Sequence, residues 1–212
     1  MCSGRVDLEF ILRAFSNGQD GVFIGGCRLN ECNYITHGNY DALSNTYICK
    51  KLMEYIGLNP ERLRIEFMTG ADGNLLAEVT DDFTKKVSAL GPLGASEGLD
   101  QNSLKFKLEA VRKLIPYLKL VERERLRVPV KSEEAYNDFF ENSETNRLFN
   151  EIFSDKLAVS QILLLLKEKP LSTSDISEKL GLNPSDVSKH MKRSSMHGLV
   201  RYHTDSNCYA LV

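Results

Sequence analysis

Two short apolar runs of the strand type, "GVFIGG" at 21–26 and "RLRIEFM" at 62–68, stand on either side of a long amphipathic segment. No other feature constrains the fold as much. Parallel strands cannot be joined by a tight turn and need a crossover of a dozen residues or more. "NYDALSNTYICKKLMEYIG" (39–57) supplies one, with Leu43, Tyr47, Ile48, Met53 and Ile56 at helical spacing and Gly57 to close it. Helical patterns also precede and follow the pair. "VDLEFILRAFSNG" (6–18) puts Phe10, Ile11, Ala14 and Phe15 on one face. "GNLLAEVTDDFTKKVSALG" (73–91) does the same with Leu75, Leu76, Val79, Phe83, Val87 and Leu90. Helix, strand, helix, strand, helix with short connections predicts an α/β domain, a parallel sheet flanked by helices.

The pattern breaks at "GPLGASEGLDQNS" (91–103), rich in Gly, Ser and Pro. A charged helix over 104–126 follows, expected to kink at Pro116, and then a polar connector over 127–146. From about residue 150 the pattern is helical. "STSDISEKLGL" (172–182) opens with Ser172 and Asp175 in a capping-box arrangement. "NPSDVSKHMKRSSMHGLV" (183–200) has Pro184 near its start and Gly198 at its end, and a short hairpin turns at Asp205-Ser206-Asn207. Three helices and a hairpin predict a mainly helical winged helix-turn-helix. The expected division is an α/β domain over 1–93, a linker and connecting helix over 94–150, and the winged helix over 151–212.

Charge and hydropathy narrow the setting. The 212-residue chain has a net charge of −2, which gives no bulk attraction to nucleic acid or anionic membrane. Its longest apolar run, "ILLLL" at 162–166, is far too short to span a bilayer, and the N-terminus lacks a signal-peptide pattern. A cytoplasmic location follows as the expectation. There the five cysteines would stay reduced, available for metal ligation or simple burial.

Cys27 follows the first strand, at the sheet end where open α/β folds gather ligands, and Cys32 lies four residues beyond it. The same C-x4-C spacing opens the plant-type ferredoxin ligand set, and Gly25 and Gly26 could bring backbone N–H groups toward sulfur. On spacing alone an iron–sulfur site and two ordinary loop cysteines remain equally open, and zinc is the other candidate metal. Cys2, ahead of a helix, can reach the same end of the sheet. Cys49 reads as a small buried residue within a helix, Cys208 as a residue of the wing, and His37 as a solvated loop histidine. No Ser/His/Asp spacing, phosphate loop, dinucleotide fingerprint or paired-carboxylate motif is present, so no catalytic residue is expected.

"MCSGRVDLEFILRAFSNGQDGVFIGGCRLNECNYITHGNY" and "IGLNPERLRIEFM" resemble the delta (iron–sulfur) subunit family of the methyl-viologen-reducing hydrogenases. The resemblance covers residues 1 to about 93, with "CSGRVD", "GC…C-x-Y" and "GNY" in order. It implies an electron-transfer subunit with a 2Fe-2S cluster on Cys2, Cys27 and Cys32. The implied partners are a hydrogenase, a formate dehydrogenase or a related redox module on one side. On the other is a heterodisulfide reductase-like flavin/iron–sulfur subunit, in some complexes electron-bifurcating. Glu31, Tyr34, Gly38, Asn39 and Tyr40 fit the family pattern. The pattern usually has His where Arg28 and Asn33 stand and Gly where Asn30 stands. It also has a strand and a cysteine-rich segment ahead of "CSGRVD". The resemblance thus implies a strand missing before Met1 and a fourth ligand from an upstream segment or another chain.

"SDISEKLGLNPSDVSKHMKRSSMHGLVRYH" resembles the winged helix-turn-helix domains of small repressors, over residues 154–212. In a DNA-binding version Ser185, Ser188, Lys189, His190, Lys192 and Arg193 would face the duplex. Yet Asp155–Val212 holds eight Lys and Arg against six Asp and Glu, Asp186 sits on the recognition helix, and Ser194 takes a usual core position. That balance argues against nucleic acid and for protein docking. The alternative function is a redox-sensing winged-helix regulator.

Overall fold

The computed structural model describes residues 2–34 and 37–212, except for the side chain of Arg123. The chain divides into two compact units, Met1–Arg147 and Leu148–Val212.

In the first unit a 3-10 turn, Ser3–Arg5, leads into helix α1, Leu8–Ser16, capped by the Asp7 carboxylate on the Glu9 N–H. Strand β1, Val22–Gly26, helix α2, Asn39–Ile56, strand β2, Leu63–Phe67, and helix α3, Gly73–Leu90, follow. β1 and β2 pair in parallel with Val22 opposite Leu63 and Gly26 opposite Phe67, so both strands end at the cysteine loop. α2 provides the crossover and stops at Gly57, whose φ of 78° ends the helix in the left-handed region. The α/β reading therefore holds.

The faces differ in detail from the sequence expectation. α1 buries Leu8, Ile11, Leu12 and Phe15, while Phe10 is 58% exposed. α3 buries Val79 and Phe83 alone, and Leu75 and Leu76 at its start are exposed.

Pro116 does not kink one helix but divides two, α4, Gln101–Arg112, and α5, Ile115–Arg125. It sits in the first turn of α5, where its missing N–H costs nothing. The segment read as a polar connector is helical instead: α6, Glu133–Glu141, and α7, Ser143–Phe149. Tyr136 and Phe140 of α6 are buried, and their rings meet Tyr40 and Tyr47 of α2 at centroid distances of 5.2 and 4.9 Å.

In the second unit a π-helical turn, Asn150–Ser154, enters helix α8, Asp155–Glu168. Helix α9, Thr173–Leu180, carries the expected capping box between Ser172 and Asp175. Helix α10, Pro184–Met196, leads to the antiparallel hairpin of β3, Val200–His203, and β4, Cys208–Leu211. Ile162, Leu166, Leu171, Ile176, Val187, Met191 and Val200 form the core, the arrangement of a winged helix-turn-helix. His190 does not face outward on α10: it is 4% exposed, with Nε2 3.9 Å from the Asp155 carboxylate. Ser194 is buried as expected.

Candidate metal centre at the strand ends

Cys2 caps the Ser3–Arg5 turn, and its Sγ accepts the Gly4 N–H at 3.4 Å. Cys32, thirty residues later, places its Sγ 3.6 Å from that of Cys2 and accepts the Tyr34 N–H at 3.4 Å. Two thiolates bound to one tetrahedral metal at about 2.3 Å lie about 3.8 Å apart, so this pair already has the spacing of shared ligands. Cys27, exposed just past β1, receives the Asn39 side-chain N–H at 3.7 Å. Each of the three sulfurs thus has an N–H donor aimed at it, the arrangement that stabilises sulfur-borne negative charge.

Two of these thiols are shifted in opposite directions. The Tyr34 N–H, with the Asn39 backbone N–H and the two neighbouring thiols, holds Cys32 below the usual thiol range despite partial desolvation. Desolvation, and then the proximity of Cys32 and Cys2, raises Cys27. Among the described residues no group of three or more Cys, His, Asp or Glu closes around a single metal ion. The arrangement is instead a close pair with a third thiol beside it.

The loop is held by its neighbours. Asn39, 1% exposed at the start of α2, donates to the carbonyls of Cys27 at 2.9 Å and Arg28 at 2.7 Å. Tyr40 donates to the Asn30 side chain at 2.9 Å. Arg28 pairs with Asp72 at 2.9 Å, tying the loop after β1 to the one after β2. Asn30 has φ 68°, which explains why a glycine suits this position and why Asn, a tolerated left-handed residue, can replace it.

Close backbone approach accounts for the glycines of the motif. A Cβ on Gly4 would lie 2.4 Å from the Gly38 carbonyl oxygen. One on Gly38 would lie 2.3 Å from the Tyr34 oxygen and 2.7 Å from Cys32 Sγ. Gly26 faces the Phe67 ring and Ser3, whereas Gly25 has open space around it, so only one of the two expected glycines permits a close approach. Among the described residues the buried Ser3 hydroxyl beside Cys2 has no hydrogen-bond partner. An unsatisfied donor there fits an acceptor such as sulfide or thiolate. Its position was not legible in the sequence, because only the fold turns Ser3 toward Gly26.

The remaining candidates lie elsewhere. Cys49 is buried in α2, and burial pushes its thiol up. Cys208 donates to the Ser206 carbonyl at 3.2 Å in the second unit. His37 is exposed, with Nδ1 3.1 Å from Asp41. Among the described residues no helix is long and apolar enough to cross a membrane.

Residues 1–91 match the family described as methyl-viologen-reducing hydrogenase, delta subunit, and residues 158–202 match bacterial regulatory protein, arsR family. The iron-sulfur subunit of the F420-non-reducing hydrogenase of Archaeoglobus profundus is 46% identical over 91 residues, which is 43% of this chain and 66% of that protein. The corresponding vhu iron-sulfur protein of Methanopyrus kandleri is 36% identical over 92 residues, 69% of its length. One component of the ferredoxin/F420H2-dependent CoB-CoM heterodisulfide reductase of Methanosarcina acetivorans is 43% identical over 95 residues. There the match spans 45% of this chain and 12% of the relative. The chain thus spans about two thirds of the hydrogenase proteins it matches and about an eighth of the reductase component. Through this N-terminal region, carrying the cysteine loop and followed by an arsR-type winged helix, the chain belongs to the methyl-viologen-reducing hydrogenase delta-subunit family.

Proposed function

We propose that the protein is a non-catalytic electron-transfer subunit working in the cytoplasm, in which Cys2, Cys27 and Cys32 ligate a 2Fe-2S cluster. The observation that carries this reading is the 3.6 Å approach of the Cys2 and Cys32 sulfurs, with an N–H donor to each of the three thiols. When bound, the cluster would supply one-electron chemistry. The chain's own residues would hold the thiolates, aim N–H dipoles at them and leave Cys27 at the surface for electron exchange. A fourth ligand comes from outside these three. The partners are a hydrogenase-, formate dehydrogenase- or related redox module and a heterodisulfide reductase-like flavin/iron–sulfur subunit, with electron bifurcation as one setting. This rests on the relatives named as an iron-sulfur component of a hydrogenase and as a component of a heterodisulfide reductase. The winged helix acts as a docking module for such subunits.

Replacing Cys27 or Cys32 by Ala should abolish the visible absorbance of the anaerobically purified protein, while Cys49→Ala keeps it. Full iron content in both loop variants would overturn the ligand assignment. A redox-sensing regulator is the second reading, favoured by the arsR-family match and by the exposed Lys189 and Lys192 on α10. A competitor-resistant gel shift with DNA from its own operon at physiological salt would promote it. Weak binding that fades as salt rises supports docking.

A further inference from the structure

The Ser3 hydroxyl oxygen is shut away from solvent, although the residue as a whole is half-buried. Ser3 follows Cys2 directly. Its Oγ lies 3.0 Å from the point where a Cβ on Gly26 would stand, and Gly26 precedes Cys27. The hydroxyl is thus bracketed by two thiol-bearing segments. The Phe67 ring reaches within 2.9 Å of the same point and offers no strong acceptor.

A buried O–H without an acceptor costs the full desolvation of that group. The backbone carbonyls around this one are engaged elsewhere. That of Cys2 takes the Arg5 N–H at 3.1 Å, and that of Ser3 takes the Val6 N–H at 2.8 Å. The Gly26 carbonyl takes the Met68 N–H at 2.8 Å, and the Cys27 carbonyl takes the Asn39 side chain at 2.9 Å. Among the described residues nothing accepts from Ser3. The acceptor chemistry left at this end of the sheet is sulfur.

We propose that the Ser3 hydroxyl donates to a sulfur of the 2Fe-2S centre and raises its reduction potential. This rests on Cys2, Cys27 and Cys32 holding that cluster. One-electron reduction adds negative charge that the sulfurs share. A donor aimed at sulfur stabilises the reduced form more than the oxidised one, and the potential rises. The N–H groups of Gly4 and Tyr34 belong to the backbone, and that of Asn39 also holds two loop carbonyls. Ser3 differs from them. Its donor turns on a single side-chain bond and can be removed without touching the backbone or a thiol. Ser3 is therefore a tuning residue and not a ligand.

A redox titration of the anaerobically purified full chain, followed by visible absorbance and EPR, reads this directly. Ser3→Ala should keep its iron and sulfide and lower the equilibrium constant for one-electron reduction about ten-fold, a fall of about 59 mV. Ser3→Thr keeps the hydroxyl and should return the potential to that of the unmodified protein. Loss of iron from Ser3→Ala alone, with Ser3→Thr loaded at the unmodified potential, would also support the role of the hydroxyl. An unmoved potential in a loaded Ser3→Ala protein would overturn it, as would a Ser3→Thr potential as low as that of Ser3→Ala. Loss of iron from both variants would reduce Ser3 to a packing residue and overturn it too. An unmodified protein without iron and sulfide would remove the cluster reading itself, and the role of Ser3 with it.

Discussion

Burial leaves Arg62 with a full set of partners. Its guanidinium, 0% exposed, donates to the carbonyls of Asp20, Leu90, Gly91 and Pro92, to the Ser96 hydroxyl and to both oxygens of Glu97. This ties the start of β2 to the ends of α3 and the loop before α4. Burial would raise the Glu97 carboxyl, but the Arg62 hydrogen bonds, the Asn59 N–H, the Ser96 hydroxyl and the Arg62 charge overcome it. They hold Glu97 down at about 2, against an ordinary 4.5. A lowered folded-state value means stability that is complete above the unfolded value and lost as pH falls through the folded one. The shift corresponds to about 3 kcal/mol, present at neutral pH and fading between pH 4.5 and 2. Glu97→Gln should therefore lower the unfolding free energy by about 3 kcal/mol at pH 7, and urea titrations should show that gap closing below pH 4.5. Little of this was visible in the sequence, where Arg62 and Glu97 are two charges among many. Asn39 was legible as a motif residue but not as the donor to two loop carbonyls. His190, which the resemblance to winged helix-turn-helix domains would turn toward the duplex, lies instead on the core side of α10.

At the scale of elements, the cysteine loop is shaped by the segments that press against it. Gly38, just before α2, has the Tyr34 carbonyl and Cys32 Sγ where its Cβ would be. Gly38→Ala should push the Cys32 segment away, at a cost of about 1–3 kcal/mol, and should lose most of the iron. A variant that melts lower yet keeps full iron loading would show that the loop shifts without disturbing its thiols. The strands and the crossover helix were legible because apolar runs and helical periodicity leave strong patterns. Helix α6 was less so. Its polar residues hid the i, i+4 pair Tyr136 and Phe140, whose rings seat it on α2. The face of α3 was over-read, because leucine spacing records which residues could be buried and not whether a neighbour covers them. Leu75 and Leu76 remain exposed.

Across the whole molecule, a cysteine-bearing α/β unit and a winged-helix unit share one chain of net charge −2. The Cys2 and Cys32 thiols, drawn from two segments, approach each other near the carboxyl ends of the two parallel strands, the end where open α/β folds gather ligands. The 3.6 Å contact between Cys2 and Cys32, the N–H donors to each sulfur and the unpartnered Ser3 hydroxyl needed the fold. Iron and acid-labile sulfide, quantified on the anaerobically purified native protein, test the central claim most directly. Two irons and two sulfides per chain, about 1:1, are the expected result for a 2Fe-2S centre. Iron-free protein, or zinc in place of iron without labile sulfide, would contradict it.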